Sequence, residues 1–280
     1  MFEVVPQTAD RHVVVPDLHG EHEVLAAVVD RYIDIPDVQF VFLGDVIDRR
    51  GMAYDPDHGV RETVELIRQL GERAVMVIAN HEWAMLAAML AKKPQYAQGA
   101  AAMWLGLEGR SSYEANTLNA YGDFERDYDA PGKLQARMEE LGHFAVFASA
   151  TPYFETKTFI ATHAGVHPTV EWEEQQEQLV QVTRDMAHGI YFENPQQWFS
   201  IGLALSTQRV SCTDKTVVSG HAHYLTSNRQ QYMRGQPTSP ERSLYDGRRI
   251  RLASQLNPPY NDSLFVWQDW NGKIIEIPRR

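Results

Sequence analysis

The chain has 280 residues, 44% hydrophobic and 22% charged, with a formal net charge of −11. That is ample sequence for a packed core in one large domain or two small ones, and the acidic balance excludes a broad electrostatic grip on nucleic acid or an anionic membrane without excluding a small positive site. Its single cysteine, Cys212, excludes an intramolecular disulfide; with no run near the ~18 apolar residues of a membrane span and no basic flank or apolar core in MFEVVPQTADRH, a cytoplasmic chain is expected.

In chain order, HVVVP from His12 is a β-branched apolar run that predicts a strand. A DLHG turn and the helically spaced EHEVLAAVVDRYI follow it. FVFLG predicts the second strand, and RETVELIRQLG a helix that closes at Gly71. AVMVIA is a third strand, and WAMLAAMLA an alanine-rich helix. This β-α-β-α-β-α order predicts an α/β fold with a largely parallel sheet. Residues 92–142 carry no strand signal and read as a helical insertion. TFIATHAG and TVVSGHAH then repeat the pattern of an apolar run followed by small and polar residues. Residues 227–262, polar and rich in arginine and proline, read as long loop or short hairpins. No linker divides the chain, so a single domain over 1–280 is expected.

What stands where each apolar run stops is chemically selective. The first run ends on Asp17 and His19, the second on Asp45 and Asp48, the third on Asn80, His81 and Glu82, the fourth on His163, and the fifth on His221 and His223. Loops at the carboxyl ends of parallel strands share one edge, so side chains far apart in sequence can converge there. Two aspartates, four histidines and an asparagine among them, with no thiolate, form an N/O donor set suited to Mn²⁺, Fe or Zn²⁺, and seven such ligands exceed one tetrahedral ion but suit two that share a carboxylate.

PDLHG, GDVIDRRG, ANHE, THAG and GHAH, in that order over residues 16–223, resemble the signature blocks of the calcineurin-like metallophosphoesterases. Within that superfamily the chain is most similar to bacterial PPP-type phosphoprotein phosphatases and symmetrical diadenosine tetraphosphatases. The resemblance implies a two-sheet β-sandwich flanked by helices, with a helical insertion between the third and fourth blocks. It also implies a hydrolase with two divalent ions, Mn²⁺ foremost and Fe or Zn²⁺ as alternatives. Asp17 and His19 would hold one ion, joined by His223; Asp45 would bridge; Asn80, His163 and His221 would complete the second. A metal-bound hydroxide would attack phosphorus in line. His81 would be the general acid, supported by Asp48, and Arg49 would grip the phosphate. Arg209 fits either a second phosphate contact or a surface residue, and Arg50 reads as a solvated charge. Pro16 and Ala79 replace glycines of the family pattern without removing a ligand.

The substrate is open between two readings. MWLGLEGRSSYEANTLNAYG is similar to a W…TL…SYG stretch of bacterial protein phosphatases, whereas TRDMAHGIYFENPQQW is similar to a segment of the symmetrical tetraphosphatases. The DTG…GG stretch that both groups carry after the fifth block is missing. The leading expectation is a serine/threonine, or also tyrosine, phosphoprotein phosphatase; the alternative is a dinucleoside polyphosphate hydrolase. Trp104, Tyr113 and Tyr121 fit either adenine stacking or the core. Arg229, Arg234, Arg242, Arg248, Arg249 and Arg251 fit either an anionic substrate or ordinary loop solvation. Glu82 fits a supporting role or that of a helix N-terminal acid. An inert metal- or phosphate-binding module on the same fold would have lost a ligand or the acid histidine, and none is lost here.

Overall fold

In the computed structural model, residues 9–48, 59–110, 116–187, 210–221, 248–252 and 263–278 are described. Strand β1 (Arg11–Val15) leads into helix α1 (His22–Tyr32), β2 (Val38–Phe42) and α2 (Val60–Leu70), and then β3 (Ala74–Met76) into α3 (Asn80–Leu90). The helices α4 (Pro94–Leu105), α5 (Thr117–Tyr121), α6 (Ala130–Glu140) and α7 (Phe144–Ala148) come next. β4 (Phe154–Glu155), β5 (Phe159–Thr162), α8 (Trp172–Ala187), β6 (Thr216–Ser219), β7 (Arg249–Arg251), β8 (Ser263–Gln268) and β9 (Lys273–Pro278) complete the order.

The strands form two sheets, β3-β2-β1-β8-β9 and β4-β5-β6-β7. β1, β2 and β3 run parallel, as do β5, β6 and β7. The expectation of a largely parallel sheet therefore holds within each half, while β8, β9 and β4 join antiparallel. Alternation along the strands gives each sheet two apolar faces. Val14, Val41, Val75, Phe159, Ala161, Val218, Ile250 and Trp267 are drawn from both sheets and pack into one cluster between them. Phe159 and Trp267 meet across that gap edge to face, with ring centroids 5.2 Å apart, a contact worth about 0.5–1.5 kcal/mol beyond its buried area. The intervening residues, such as Val13, Val15, Phe40, Phe42 and Ile160, face outward and pack with the helices.

The helices follow from their apolar stripes. α1 buries Val24, Leu25, Val28, Val29 and Tyr32, and α2 buries Val60, Thr63, Val64, Ile67 and Leu70. α2 stops at Gly71, whose φ of +57° suits a glycine cap. α3 is buried almost all round, which matches its alanine-rich sequence. The part of 92–142 that is described holds helices and turns without a strand.

One expectation needs correction. Residues 249–251, within the segment read as loop or short hairpins, form β7 in the second sheet. Its Arg-Ile-Arg alternation puts Ile250 into the inter-sheet cluster, and two arginines flanking one apolar residue mask that pattern in composition. Most of 227–262 lies outside the described residues. No helix among the described residues is long and apolar enough to cross a membrane.

Candidate metal centre

The carboxyl ends of β1, β2, β3, β5 and β6 deliver their loops to one edge of the sandwich. Leu18 and His19 donate their backbone N–H groups to the Asp45 carbonyl at 3.0 and 2.8 Å, which joins the first loop to the second. Gly220 donates to the His163 carbonyl at 2.8 Å, joining the fourth loop to the fifth. The His221 N–H reaches the Asp17 carboxylate at 3.0 Å, so the two sheets meet at the site. A Cβ on Gly220 would fall 2.2 Å from Asp17 Oδ1, and only glycine allows that approach.

Two groups of donors emerge among the described residues, and they share one residue. His19, Asp45 and His81 bring ligand atoms within 4.8 Å of one another, and so do Asp45, His163 and His221. Asp17 belongs to neither group; its carboxylate accepts the His221 N–H.

Tautomers show what these groups fit. His163 Nδ1 stands 2.8 Å from the Leu43 carbonyl and must donate to it. His163 Nε2 then presents a lone pair to Asn80 Oδ1 at 2.9 Å, His221 Nδ1 at 3.1 Å and Asp45 Oδ2 at 3.4 Å. His19 repeats the arrangement: its Nδ1 donates to the carbonyls of Asp48 at 2.5 Å and Ile47 at 3.0 Å, and its Nε2 lies 3.8 Å from Asp45 Oδ2. Backbone carbonyls that fix the ring tautomer are the usual support behind metal-binding histidines. Converging lone pairs around one carboxylate repel one another unless a cation lies between them, so the residues fit divalent ions.

Asp45 is a focus for positive charge. Burial pushes its carboxyl up, but positive charge on the surrounding rings of His163, His81, His19 and His221 pulls it well below the usual range. Burial would lower His81, yet Asp45 and the hydrogen-bonded Asp48 raise it to about 9. Its Nδ1 is 3.0 Å from Asp48 Oδ2.

Backbone strain concentrates here. Among the described residues, six non-glycine positions have positive φ, and four of them are His19, Asp45, Asp48 and His221. Such conformations cost on the order of 1–3 kcal/mol each and persist where surrounding contacts impose them.

Three contributors carried a weak signal in sequence or none. Glu82 is fully buried and accepts the N–H groups of Asp45, Val46 and Ile47 at 2.8, 2.9 and 3.4 Å, so it supports the second loop. Burial and the Asp45 charge push its carboxyl up to about 8, against those N–H bonds. Trp104 donates its indole N–H to Asp48 Oδ2 at 3.0 Å. Thr117 donates its hydroxyl to Asp48 Oδ1 and accepts the Asp48 N–H at 3.0 Å. Both lie in the W…TL stretch singled out above, where the residue types alone show no such bonds. Trp104 and Tyr121 are buried in the core. Arg49, Arg209, His223, Arg50 and Tyr113, with Arg229, Arg234 and Arg242, lie outside the described residues. Arg248 is exposed and pairs with Asp214 at 2.8 Å, while Arg249 and Arg251 are buried.

The sequence model of the calcineurin-like phosphoesterases matches residues 11–247. Solved structures share the fold at low identity. A candidate diadenosine tetraphosphatase has a TM-score of 0.52 and 17% identity, with 99% of this chain and 97% of that one covered. A protein serine/threonine phosphatase from Saccharomyces cerevisiae has a TM-score of 0.53 and 14% identity, covering 98% and 81%. A variant of a cold-active protein tyrosine phosphatase has a TM-score of 0.50 and 15% identity, covering 98% and 83%. No curated protein matches the chain in sequence.

Proposed function

The chain belongs to the calcineurin-like phosphoesterase family of metal-dependent phosphatases, and from that premise we propose that it is a two-metal hydrolase acting first on phosphoproteins. The observation that supports this most is the pair of donor groups sharing the buried Asp45. Asp17, His19, Asp45, Asn80, His163 and His221 would hold the ions, Mn²⁺ foremost. When bound, the ions supply an activated water for in-line displacement and neutralise charge on the phosphoryl oxygens.

The chain's own residues do the remaining work. Asp45 presents one buried carboxylate to both donor groups. His81, with Nδ1 engaged by Asp48, would donate a proton from Nε2 to the departing oxygen, a contribution of about 10²–10⁴-fold. Asp48 keeps that ring oriented and favours its charged form. Arg49 and Arg209 are assigned to phosphate, and His223 to the first ion, by sequence alone.

A dinucleoside polyphosphate hydrolase is the second reading. The likeness in fold to the candidate tetraphosphatase favours it. A reducing, cytoplasmic setting fits both readings.

The experiment compares the Mn²⁺-loaded protein on phosphoserine, phosphothreonine and phosphotyrosine peptides and on diadenosine tetraphosphate, with Asp45→Asn as the blank. Preference for peptides is the expected result. Symmetrical cleavage of the dinucleotide to two ADP instead selects the second reading, and no turnover above the blank overturns both.

A further inference from the structure

Among the described residues, the segment between the third and fourth blocks hydrogen-bonds to Asp48 in the site. Asp48 is fully buried and has a φ of +54°, so neither solvent nor a relaxed backbone holds its carboxylate in place. Three donors converge on it. Oδ2 receives the indole N–H of Trp104 and faces His81 Nδ1, both at 3.0 Å. Oδ1 receives the Thr117 hydroxyl, and Thr117 in turn accepts the Asp48 N–H at 3.0 Å. Trp104 and Thr117 are themselves fully buried. They come from α4 and α5, 56 and 69 residues further along the chain than Asp48.

We infer that Trp104 and Thr117 are positioning residues for leaving-group protonation, which fix the Asp48 carboxylate so that it aims the His81 ring at the departing oxygen. The inference rests on the phosphatase reading and deepens it. The reason is geometric. A carboxylate with one bond to an imidazole can rotate about its side-chain torsions, and the ring rotates with it. A third point of attachment removes that freedom. The Thr117 hydroxyl pins one oxygen and ties it to the Asp48 backbone. The Trp104 N–H, which can only donate, pins the other, the oxygen that faces His81. Proton transfer demands heavy-atom contact near hydrogen-bond length, so small errors in ring direction weaken it steeply. Attack on phosphorus does not pass through this ring. The two donors should therefore matter in proportion to how badly the leaving group needs a proton.

That proportion is the test. Full-length Mn²⁺-loaded protein is assayed on phenyl phosphate, whose phenolate leaves poorly, and on dinitrophenyl phosphate, whose leaving group needs no proton. Thr117→Val keeps the volume and removes both bonds, while Trp104→Phe removes the N–H and keeps an aromatic ring. Each should lower kcat on phenyl phosphate by roughly tenfold or more, a share of the 10²–10⁴ available to a general acid. On dinitrophenyl phosphate kcat should stay within about twofold, with KM on both esters little changed. Thr117→Ser, which restores the hydroxyl, should recover most of the loss. Equal losses on the two esters, or a serine variant as impaired as the valine one, overturn the inference. So does an unmoved His81 Nδ1–H proton resonance in Thr117→Val, whatever its activity, because that proton lies on Asp48. If the parent protein hydrolyses neither ester above Asp45→Asn, the phosphatase reading fails and takes this inference with it; hydrolysis without the leaving-group split sinks the inference alone.

Discussion

Glu82, in the first turn of α3, accepts the backbone N–H of Asp45 at 2.8 Å through one oxygen and that of Val46 at 2.9 Å through the other. One carboxylate thus clamps the loop in which Asp45 and Asp48 both hold left-handed backbone conformations. Glu82→Ala leaves those N–H groups buried and unpaired, a loss on the order of 2–4 kcal/mol. Glu82→Gln should also lose stability, because its amide NH₂ must face a backbone donor. Urea unfolding measures both. If either variant keeps the parent's midpoint, Glu82 is only a helix N-terminal acid.

Gly44 and Ala79 make a second pair with a direct test. Gly44 has a φ of +84°, and a Cβ there would fall 2.4 Å from Ala79 Cβ and 2.7 Å from the Val77 carbonyl. Ala79, which stands where the family pattern has glycine, packs its methyl group into the space that the absent side chain of Gly44 leaves. Gly44→Ala should destabilise by about 2–4 kcal/mol through overpacking and the positive φ. Adding Ala79→Gly should restore only part of that loss, since the Val77 carbonyl and the backbone conformation remain. A double-mutant cycle reads the coupling between the two sites. Strict additivity would show that the side-chain clash is not the cause.

These pairs also mark where the sequence was legible. β1, β2, β3, β5 and β6 could be read because each is an apolar run that ends abruptly in polar residues, and the parallel arrangement sends those ends to one edge. Helix α2 could be read from its stripe and from Gly71. The β8–β9 hairpin could not, because β8 joins the sheet through pairs such as Val14 with Trp267, across almost the whole chain. Glu82 and Thr117 were equally opaque. An acid at a helix start and a threonine in a polar stretch are ordinary residues, and their importance arises only from loops that tertiary folding brings to them. Trp104 was visible as a buried aromatic, but the direction of its N–H is a property of packing.

His143 gives a pH-dependent expectation away from the metal centre. Its Nδ1 lies 2.9 Å from the Tyr121 hydroxyl and its Nε2 2.9 Å from Glu65 Oε2. Burial outweighs Glu65 and keeps the imidazole below its ordinary value of 6.5. At this site the unfolded chain then binds more protons than the native one just below that value, so the His143 contribution is complete above about pH 6.5 and declines as pH falls. Glu65 is held below its usual range by hydrogen bonds from Arg68 and Gln69, so its contribution is lost only below the ordinary 4.5. Between the two values Glu82, its carboxyl pushed up to about 8, works in the opposite sense, because there the native state binds the extra proton. The His143 part is therefore read as a difference: relative to His143→Gln, thermal melts of the parent should lose stability as pH falls through this interval. Identical pH slopes in the two proteins would remove His143 from the account.

The sharing of Asp45 makes the sharpest claim about metal content. If its carboxylate serves both donor groups, neither ion keeps a complete site without it, whereas His221 serves only one group. The parent chain should carry two Mn²⁺ ions after gel filtration in Mn²⁺, Asp45→Asn close to none, and His221→Ala one. Melting temperature provides an independent readout, since a ligand at a hundredfold excess over its Kd stabilises the native state by about 2.7 kcal/mol. Added Mn²⁺ should raise the melting temperature of the parent most, that of His221→Ala less, and that of Asp45→Asn scarcely at all. One ion per chain in the parent, or two in Asp45→Asn, would show that the donor groups do not share a carboxylate in solution. The distinction reaches the chemistry, because a single ion cannot clamp both the attacking and the leaving oxygen of an in-line displacement.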